Sequence, residues 1–255
     1  MSQPLRVFIT GASSGLGAAL AQHYGAQGAL LGLVGRRLEG LQATADGLVG
    51  ALYYQADVRD AAAMQGAAQA FLDAVGPPDI VIAAAGISVG TLTEEADDAA
   101  VFRAVMDANV LGLVHTFQPF IAAMTANRGT LCAISSVAGV RGLPGGGAYS
   151  ASKAAATVYL EALRLELKPR GIAVVTVAPG YIDTPMTQVN PYAMPFKMSA
   201  ETAATKVARC VKLRRAYTVI PWQMAWAARV LKCLPIPVYD ALFVNAPRKP
   251  RGLPT

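Results

Sequence analysis

The sequence predicts an α/β fold, a doubly wound parallel sheet with helices on both faces. Three observations lead there. Short apolar runs alternate with helix-length segments along most of the chain, the pattern of strands joined by helical crossovers. A glycine-rich turn stands at the first strand–helix junction. The 255 residues are 54% hydrophobic and only 15% charged, which excludes a disordered chain and allows a sizeable core.

Residues 5–10 read as a short buried strand, residues 11–17 as a glycine turn, and 18–27 as a helix. A second apolar strand at 29–34 ends at Gly35. Residues 38–48 form a helix and 51–55 a third strand. Asp60 precedes an apolar-periodic segment to residue 75 and is placed as its N-cap, where a carboxylate can accept from free backbone N–H groups. Pro77-Pro78 stops the chain before a fourth strand at 79–83. Residues 97–124 contain a long helix bent around 109–112, and 129–134 a fifth strand. A glycine-rich stretch leads into a helix from about 148 to 167, and residues 172–178 are a sixth strand. No domain boundary and no internal repeat precede the tail.

The turn Gly11-Ala12-Ser13-Ser14-Gly15-Leu16-Gly17 suits a dinucleotide. Its glycines permit a tight turn, close backbone approach to a pyrophosphate and close helix–strand packing. The helix N-terminus beyond them offers N–H groups and a positive dipole end. The second strand ends in Val34-Gly35-Arg36-Arg37, with no acid to meet a ribose 2′-hydroxyl. Two arginines there would attract a 2′-phosphate, which favours NADP(H), with Arg36 the better candidate. Asp57 and Val58 are placed to meet the adenine ring, and Ala84, Ala85 and Gly86 to let backbone approach the adenosine ribose.

Tyr149 and Lys153 are four apart at the start of a helix, so they share one face. A nearby ammonium favours phenolate over phenol, and the expectation is a lowered tyrosine pKa. Ser135-Ser136 closes the fifth strand and faces the same end of the sheet. Asn109 sits in the helix bend, where an unpaired backbone could hold water. With TGASSGLG at 10–17, AAAG at 83–86, Asn109, ISSVAG at 134–139, YSASK at 149–153 and PG at 179–180, the chain resembles a short-chain dehydrogenase/reductase of the main single-domain subgroup over about residues 5–220. The resemblance adds a seventh strand at 216–220, for a Rossmann-type sheet of about seven strands. It implies that Tyr149 exchanges a proton with a carbonyl or alcohol oxygen and that Ser136 positions that oxygen, with Ser135 structural. Lys153 would lower the phenol pKa and bond the nicotinamide ribose, and Asn109 would support a water relay to Lys153. Pro179, Gly180, Ile182 and Thr184 would border the carboxamide. The family usually has asparagine where Ala83-Ala84 stand, so the bond with which that side chain ties the central strands is in doubt here.

Residues 183–204 carry Met186, Tyr192, Met194, Phe196 and Met198. The family places a substrate lid there, and adaptable apolar side chains suit a hydrophobic carbonyl or alcohol. The net charge of +6 is uneven: residues 1–204 hold 12 Lys/Arg and 15 Asp/Glu, whereas 205–255 hold 10 Lys/Arg and one acid, Asp240. In this extension, 221–255, Trp222, Trp226, Val230 and Cys233 share a helical face. An oligomer interface or a flap over the substrate pocket is one reading, and a helix lying on anionic membrane is the other. The tail resembles that of bacterial reductases akin to the keto-sphinganine reductase branch, which implies a lipid-like substrate.

Three scattered cysteines indicate neither a metal site nor a disulfide framework. His23 and His115 lack acid partners along their helices and read as packing or surface residues. No signal-peptide pattern or apolar run of spanning length is expected. The expected setting is cytoplasmic, with peripheral contact at the inner membrane face as the alternative, as a homodimer or homotetramer without a nucleic-acid partner. Against the NADP(H)-dependent reductase stands a dinucleotide-sensing protein that does no chemistry, which would not need the Ser136–Tyr149–Lys153 set. An epimerase or dehydratase of the longer relatives would have a sizeable C-terminal substrate domain.

Overall fold

The computed structural model describes residues 3–252. In chain order, β1 (Arg6–Thr10) is followed by α1 (Gly15–Gly25), β2 (Leu30–Gly35), α2 (Leu38–Ala45), β3 (Ala51–Gln55), α3 (Ala61–Val75) and β4 (Ile80–Ala83). Then come α4 (Asp98–Met106), a wide turn Asp107–Leu111, α5 (Gly112–Phe117), α6 (Ile121–Met124), β5 (Thr130–Ile134) and α7 (Gly147–Leu167). The last part is β6 (Ala173–Pro179), α8 (Pro185–Gln188), α9 (Ala200–Lys212), β7 (Tyr217–Ile220), α10 (Trp222–Cys233) and α11 (Ile236–Phe243).

The sheet has the order β3-β2-β1-β4-β5-β6-β7, and every pairing in it is parallel. The chain steps outward from β1 to β3, then crosses back to lay β4 on the other side of β1. Beyond the carboxyl ends of β1 and β4 this reversal opens the crevice in which such sheets bind ligands.

Side-chain alternation divides the core between the two faces of the sheet. Val7 and Ile9 pack with Leu20, Leu33 and Val207 on one face. Phe8 packs with Phe71, Phe120 and Leu131 on the other, its ring centroid 4.7 Å from Phe120 and 5.4 Å from Phe71. Fully burying each such side chain is worth roughly 1.5–3 kcal/mol.

The first helix starts at Gly15, earlier than its apolar pattern indicates, because the turn glycines themselves form its first turn. Asp60 caps α3 as expected, its Oδ1 accepting from Ala63 N at 3.0 Å. The long segment 97–124 is broken twice: the turn Asp107–Leu111 is wound wider than an α-helix, and Pro119 stands in a tight turn at Gln118–Phe120, where it can give no N–H. Helix α9 is a correction. The lid assigned to 183–204 ends before Ser199, which caps α9 by accepting from Thr202 N at 3.2 Å. Ala203, Ala204, Val207 and Val211 of α9 are core residues.

The strands β1 and β4 stay in register to Thr10↔Ala83 without the family's asparagine. The buried Thr10 Oγ1 beside that position has no hydrogen-bond partner among the described residues. In the tail, Met224 and Ala228 are the buried side of α10. Arg141 lies 4.1 Å over the Tyr239 ring of α11 and donates to the carbonyls of Leu231 and Leu234 at 3.0 and 2.9 Å. No helix among the described residues is long and apolar enough to cross a membrane.

Candidate active site

The turn between β1 and α1 is a bare backbone surface. Gly11 and Gly15 have φ of +73° and +56°, conformations that glycine adopts without strain. A Cβ on Gly11 would stand 2.7 Å from the Ala85 Cα, and one on Gly17 would collide with the Gly11 carbonyl oxygen. A Cβ on Gly15 would meet the Thr184 methyl at 3.2 Å, so the loop after β6 closes against the same turn. Ser13 packs beside Gly35 and Gly40, Leu16 against the core, and the Ser14 side chain makes no cap bond.

Arg36 and Arg37 are exposed just past β2; Arg37 donates to the Ser13 carbonyl at 3.4 Å. Burial pushes the Asp57 carboxyl up, but hydrogen bonds and charge from Arg59, with the charge of Arg36, more than offset this and hold it below its ordinary value. Asp57 and Arg59 are 2.6 Å apart. The Val58 side chain is turned into packing against Gly112 and is buried, so it offers less surface to an adenine than its position in sequence implied. Glycines that a Cβ would fill, with guanidinium groups beside them, fit a dinucleotide.

Ser136 follows β5, its Oγ accepting from Ala138 N at 3.1 Å. Its hydroxyl also acts on the Tyr149 phenol, favouring the ionised form. Ser135 faces inward, bonded to the Lys153 carbonyl at 3.2 Å and to Thr157 Oγ1 at 2.8 Å, a brace between β5 and α7. Lys153 is buried, its Nζ donating to the Ile134 carbonyl at 2.9 Å and standing 5.8 Å from the Tyr149 ring centroid.

The expected lowering of the tyrosine pKa is not what the structure gives. Burial raises the Tyr149 phenol above its ordinary value, only partly opposed by the Ser136 hydroxyl. Burial also brings Lys153 down to about 8. Desolvation penalises both charged forms, and the ammonium is directed at a carbonyl rather than at the phenol oxygen.

Asn109 lies in the wide turn and is buried. Its Oδ1 accepts from Ile87 N at 2.8 Å, and its Nδ2 donates to the Ile87 carbonyl and to Ser152 Oγ, both at 2.9 Å. Ser152 in turn donates to the Tyr149 carbonyl at 2.8 Å. Asn109 thus ties the loop after β4 to the helix turn that carries Tyr149. Gly86 fits beside it, where a Cβ would stand 2.9 Å from Asn109 Oδ1 and 3.6 Å from Lys153 Nζ. Ile87 and Ser152 were not singled out in the sequence, although Ser152 stands inside the YSASK stretch.

Pro179 and Ile182 are buried where β6 leads into the lid, and Gly180 lies against Met224 of the tail. Tyr192 meets Tyr181 edge-on, ring centroids 6.4 Å apart, and burial, then the charge of the Tyr181 and Tyr149 phenols, raises its pKa. His115 Nδ1 meets the Val58 carbonyl at 2.9 Å, a packing role. Cys132 is fully buried.

The family model for short chain dehydrogenases matches residues 6–193. The chain belongs to the short-chain dehydrogenase/reductase family. An uncharacterized oxidoreductase of Myxococcus xanthus is 36% identical over 238 residues, covering 91% of this chain and 94% of the relative. A short chain dehydrogenase from Burkholderia cenocepacia in complex with NADP superposes with a TM-score of 0.83 at 26% identity, over 95% of this chain and 98% of that one. A short chain dehydrogenase/reductase from Burkholderia phymatum in complex with NAD has a TM-score of 0.82 at 23% identity, over 98% and 99% of the two chains, a likeness of fold. Family membership makes this chain an oxidoreductase of CH–OH and C=O groups that works with a nicotinamide dinucleotide.

Proposed function

We propose that the protein is an NADP(H)-dependent reductase of a hydrophobic ketone or aldehyde, or a dehydrogenase of the matching alcohol, with Tyr149 as general acid and base. The observation that carries this reading is buried Lys153, its Nζ 5.8 Å from the Tyr149 ring centroid, with the Ser136 hydroxyl acting on the same phenol. The bound nicotinamide supplies or takes the hydride. Ser136 orients the substrate oxygen, and Tyr149 gives that oxygen its proton as negative charge builds. The burial that raises the Tyr149 pKa keeps the phenol protonated, the state from which carbonyl reduction starts. Lys153, at about 8, is mostly an ammonium at pH 7 and stabilises the phenolate left behind. Asn109 holds the first turn of α7 in place, and we assign to it the water relay toward Lys153.

Arg36 and Arg37, with no acid between residues 34 and 37, support a preference for NADP(H), as does the NADP bound by the Burkholderia cenocepacia relative. Pro179, Gly180, Ile182 and Thr184 are proposed to border the nicotinamide. Tyr149→Phe should lower NADPH-dependent ketone reduction by about a thousandfold while NADPH still binds, followed by fluorescence titration. Retained turnover would overturn the assignment. Bound NADPH with no turnover of any ketone by the wild type would favour the sensing protein instead.

The exposed row Trp222, Trp226 and Val230 is proposed as a surface for self-association into a dimer or tetramer. The membrane reading loses part of its basis, because Arg251 is already paired with Asp98 and Glu95 of its own chain. Trp222→Ser/Trp226→Ser should dissociate the oligomer in sedimentation velocity. A wild type that is monomeric but co-sediments with anionic vesicles at low salt would give this surface to lipid. We place the protein in the cytoplasm.

A further inference from the structure

Residues 249–251 fold back on the loop after β4 as a strap. Gly90 N donates to the Pro250 carbonyl at 2.9 Å. Arg251 Nε pairs with Asp98 Oδ2 at 2.9 Å and its NH1 with Glu95 at 3.1 Å. Asp98 is buried and also accepts from Leu92 N at 2.8 Å. These bonds pin the strap to the loop that follows β4, and they do not involve Lys249.

Lys249 instead reaches across the crevice. Its Nζ donates to Ser88 Oγ at 2.9 Å and toward the Met186 carbonyl of α8 at 3.4 Å. Ser88 is two residues beyond Gly86, which abuts Asn109 and faces Lys153 Nζ. Met186 is two residues beyond Thr184, which touches Gly15 of the nucleotide turn. The ammonium therefore bridges the loop after β4, whose Gly86 adjoins Lys153, and α8, which follows the residue that meets the nucleotide turn.

No carboxylate pairs with Lys249 among the described residues, although Arg251, two residues on, has two. Withdrawing an ammonium from water against neutral acceptors alone is unfavourable, and here burial brings its pKa down to about 8. An anion arriving beside it would remove that penalty and gain a charge-assisted hydrogen bond.

We infer that Lys249, held by the C-terminal strap, is a specificity-determining residue that binds an anionic group, carboxylate or phosphate, on an otherwise apolar substrate. The inference deepens the carbonyl-reductase reading and rests on it for the word substrate. The apolar lid takes the chain of the molecule, Tyr149 takes its carbonyl, and Lys249 takes the anion at a separate point.

The test measures binding without turnover. Calorimetric titrations of the full-length protein with decanoate, decyl phosphate and 1-decanol compare the wild type with Lys249→Met, Lys249→Gln and Lys249→Arg. In the wild type at least one of the two anions should bind about tenfold or more tightly than decanol, the size expected of a hydrogen bond to a charged group. Which anion is preferred separates a carboxylate from a phosphate substrate. Met and Gln should abolish the preference with decanol affinity kept, and Arg should retain most of it. A wild type with no preference for either anion, or one whose preference survives Lys249→Met and Lys249→Gln, overturns the inference. Melting curves of the variants show that the strap-bearing fold persists. Failure of the wild type to reduce any ketone with NADPH would sink the reductase reading and leave the anion result standing.

Discussion

Asn109 offers the sharpest test of how this site is built. Asn109→Ala removes three hydrogen bonds at once, to Ile87 N, to the Ile87 carbonyl and to Ser152 Oγ. Ser152 keeps its bond to the Tyr149 carbonyl, so it is only partly stranded. Ile87 loses both side-chain partners of its backbone. It is half-buried, and water can recover some of the loss. At about 1–3 kcal/mol for each unsatisfied buried group, the sum comes to about 2–4 kcal/mol. For a chain of this size that corresponds to a fall in Tm of roughly 5–15 °C. Asn109→Asp keeps the acceptor for Ile87 N but sets a carboxylate against the Ile87 carbonyl, so it should recover little. The assay is reversible thermal unfolding followed by circular dichroism. An unchanged Tm for Asn109→Ala, with activity lost, would refute the brace and leave Asn109 only the relay of protons.

Arg36→Ala should weaken NADPH binding by about ten- to a hundredfold, since a charge-assisted bond to phosphate is lost, while NADH changes little; an unaltered NADPH-to-NADH ratio in fluorescence titration would reject the 2′-phosphate assignment. The pH dependence of stability tests the burial of Lys153. Its pKa is 10.5 ordinarily and about 8 in the fold, so between those values the unfolded chain binds more protons than the folded one. Stability therefore rises with pH across about 8–10.5, by on the order of 3 kcal/mol from this group. Lysine 249 shifts in the same direction, and buried tyrosines such as Tyr149 oppose the trend only above their ordinary value of 10.0. Lys153→Met should flatten the slope in denaturant titrations between pH 8 and 10, and equal slopes for the two proteins would mean a solvated Lys153.

The site residues read from the sequence are those whose placement is local. Gly11, Gly15 and Gly17 must follow the first strand for the turn to close, and Tyr149 and Lys153 need only one helix to share a face. Ser136 required the parallel-sheet order as well, which the alternation of strands and helices supplied. Helix α9 is legible too: Ser199 precedes a run with alanine and valine at helical spacing, inside the stretch that the family resemblance gives to a lid. The direction of the Tyr149 pKa was not legible, because it depends on how far burial outweighs a cation whose Nζ is turned to Ile134.

The sequence alone determined the parallel α/β class and pointed to the nucleotide turn and the Tyr149–Lys153 pair, since each follows from near-neighbour geometry and backbone hydrogen bonding. Only the tertiary structure decided that Asn109 is bonded to Ile87 and Ser152 and that Lys249 returns to Ser88, 161 positions earlier. Contacts of that separation leave no local pattern: the spacing of residues along a strand or helix is set by its own period, whereas the meeting of chain end and active-site loop is set by how the whole sheet is covered.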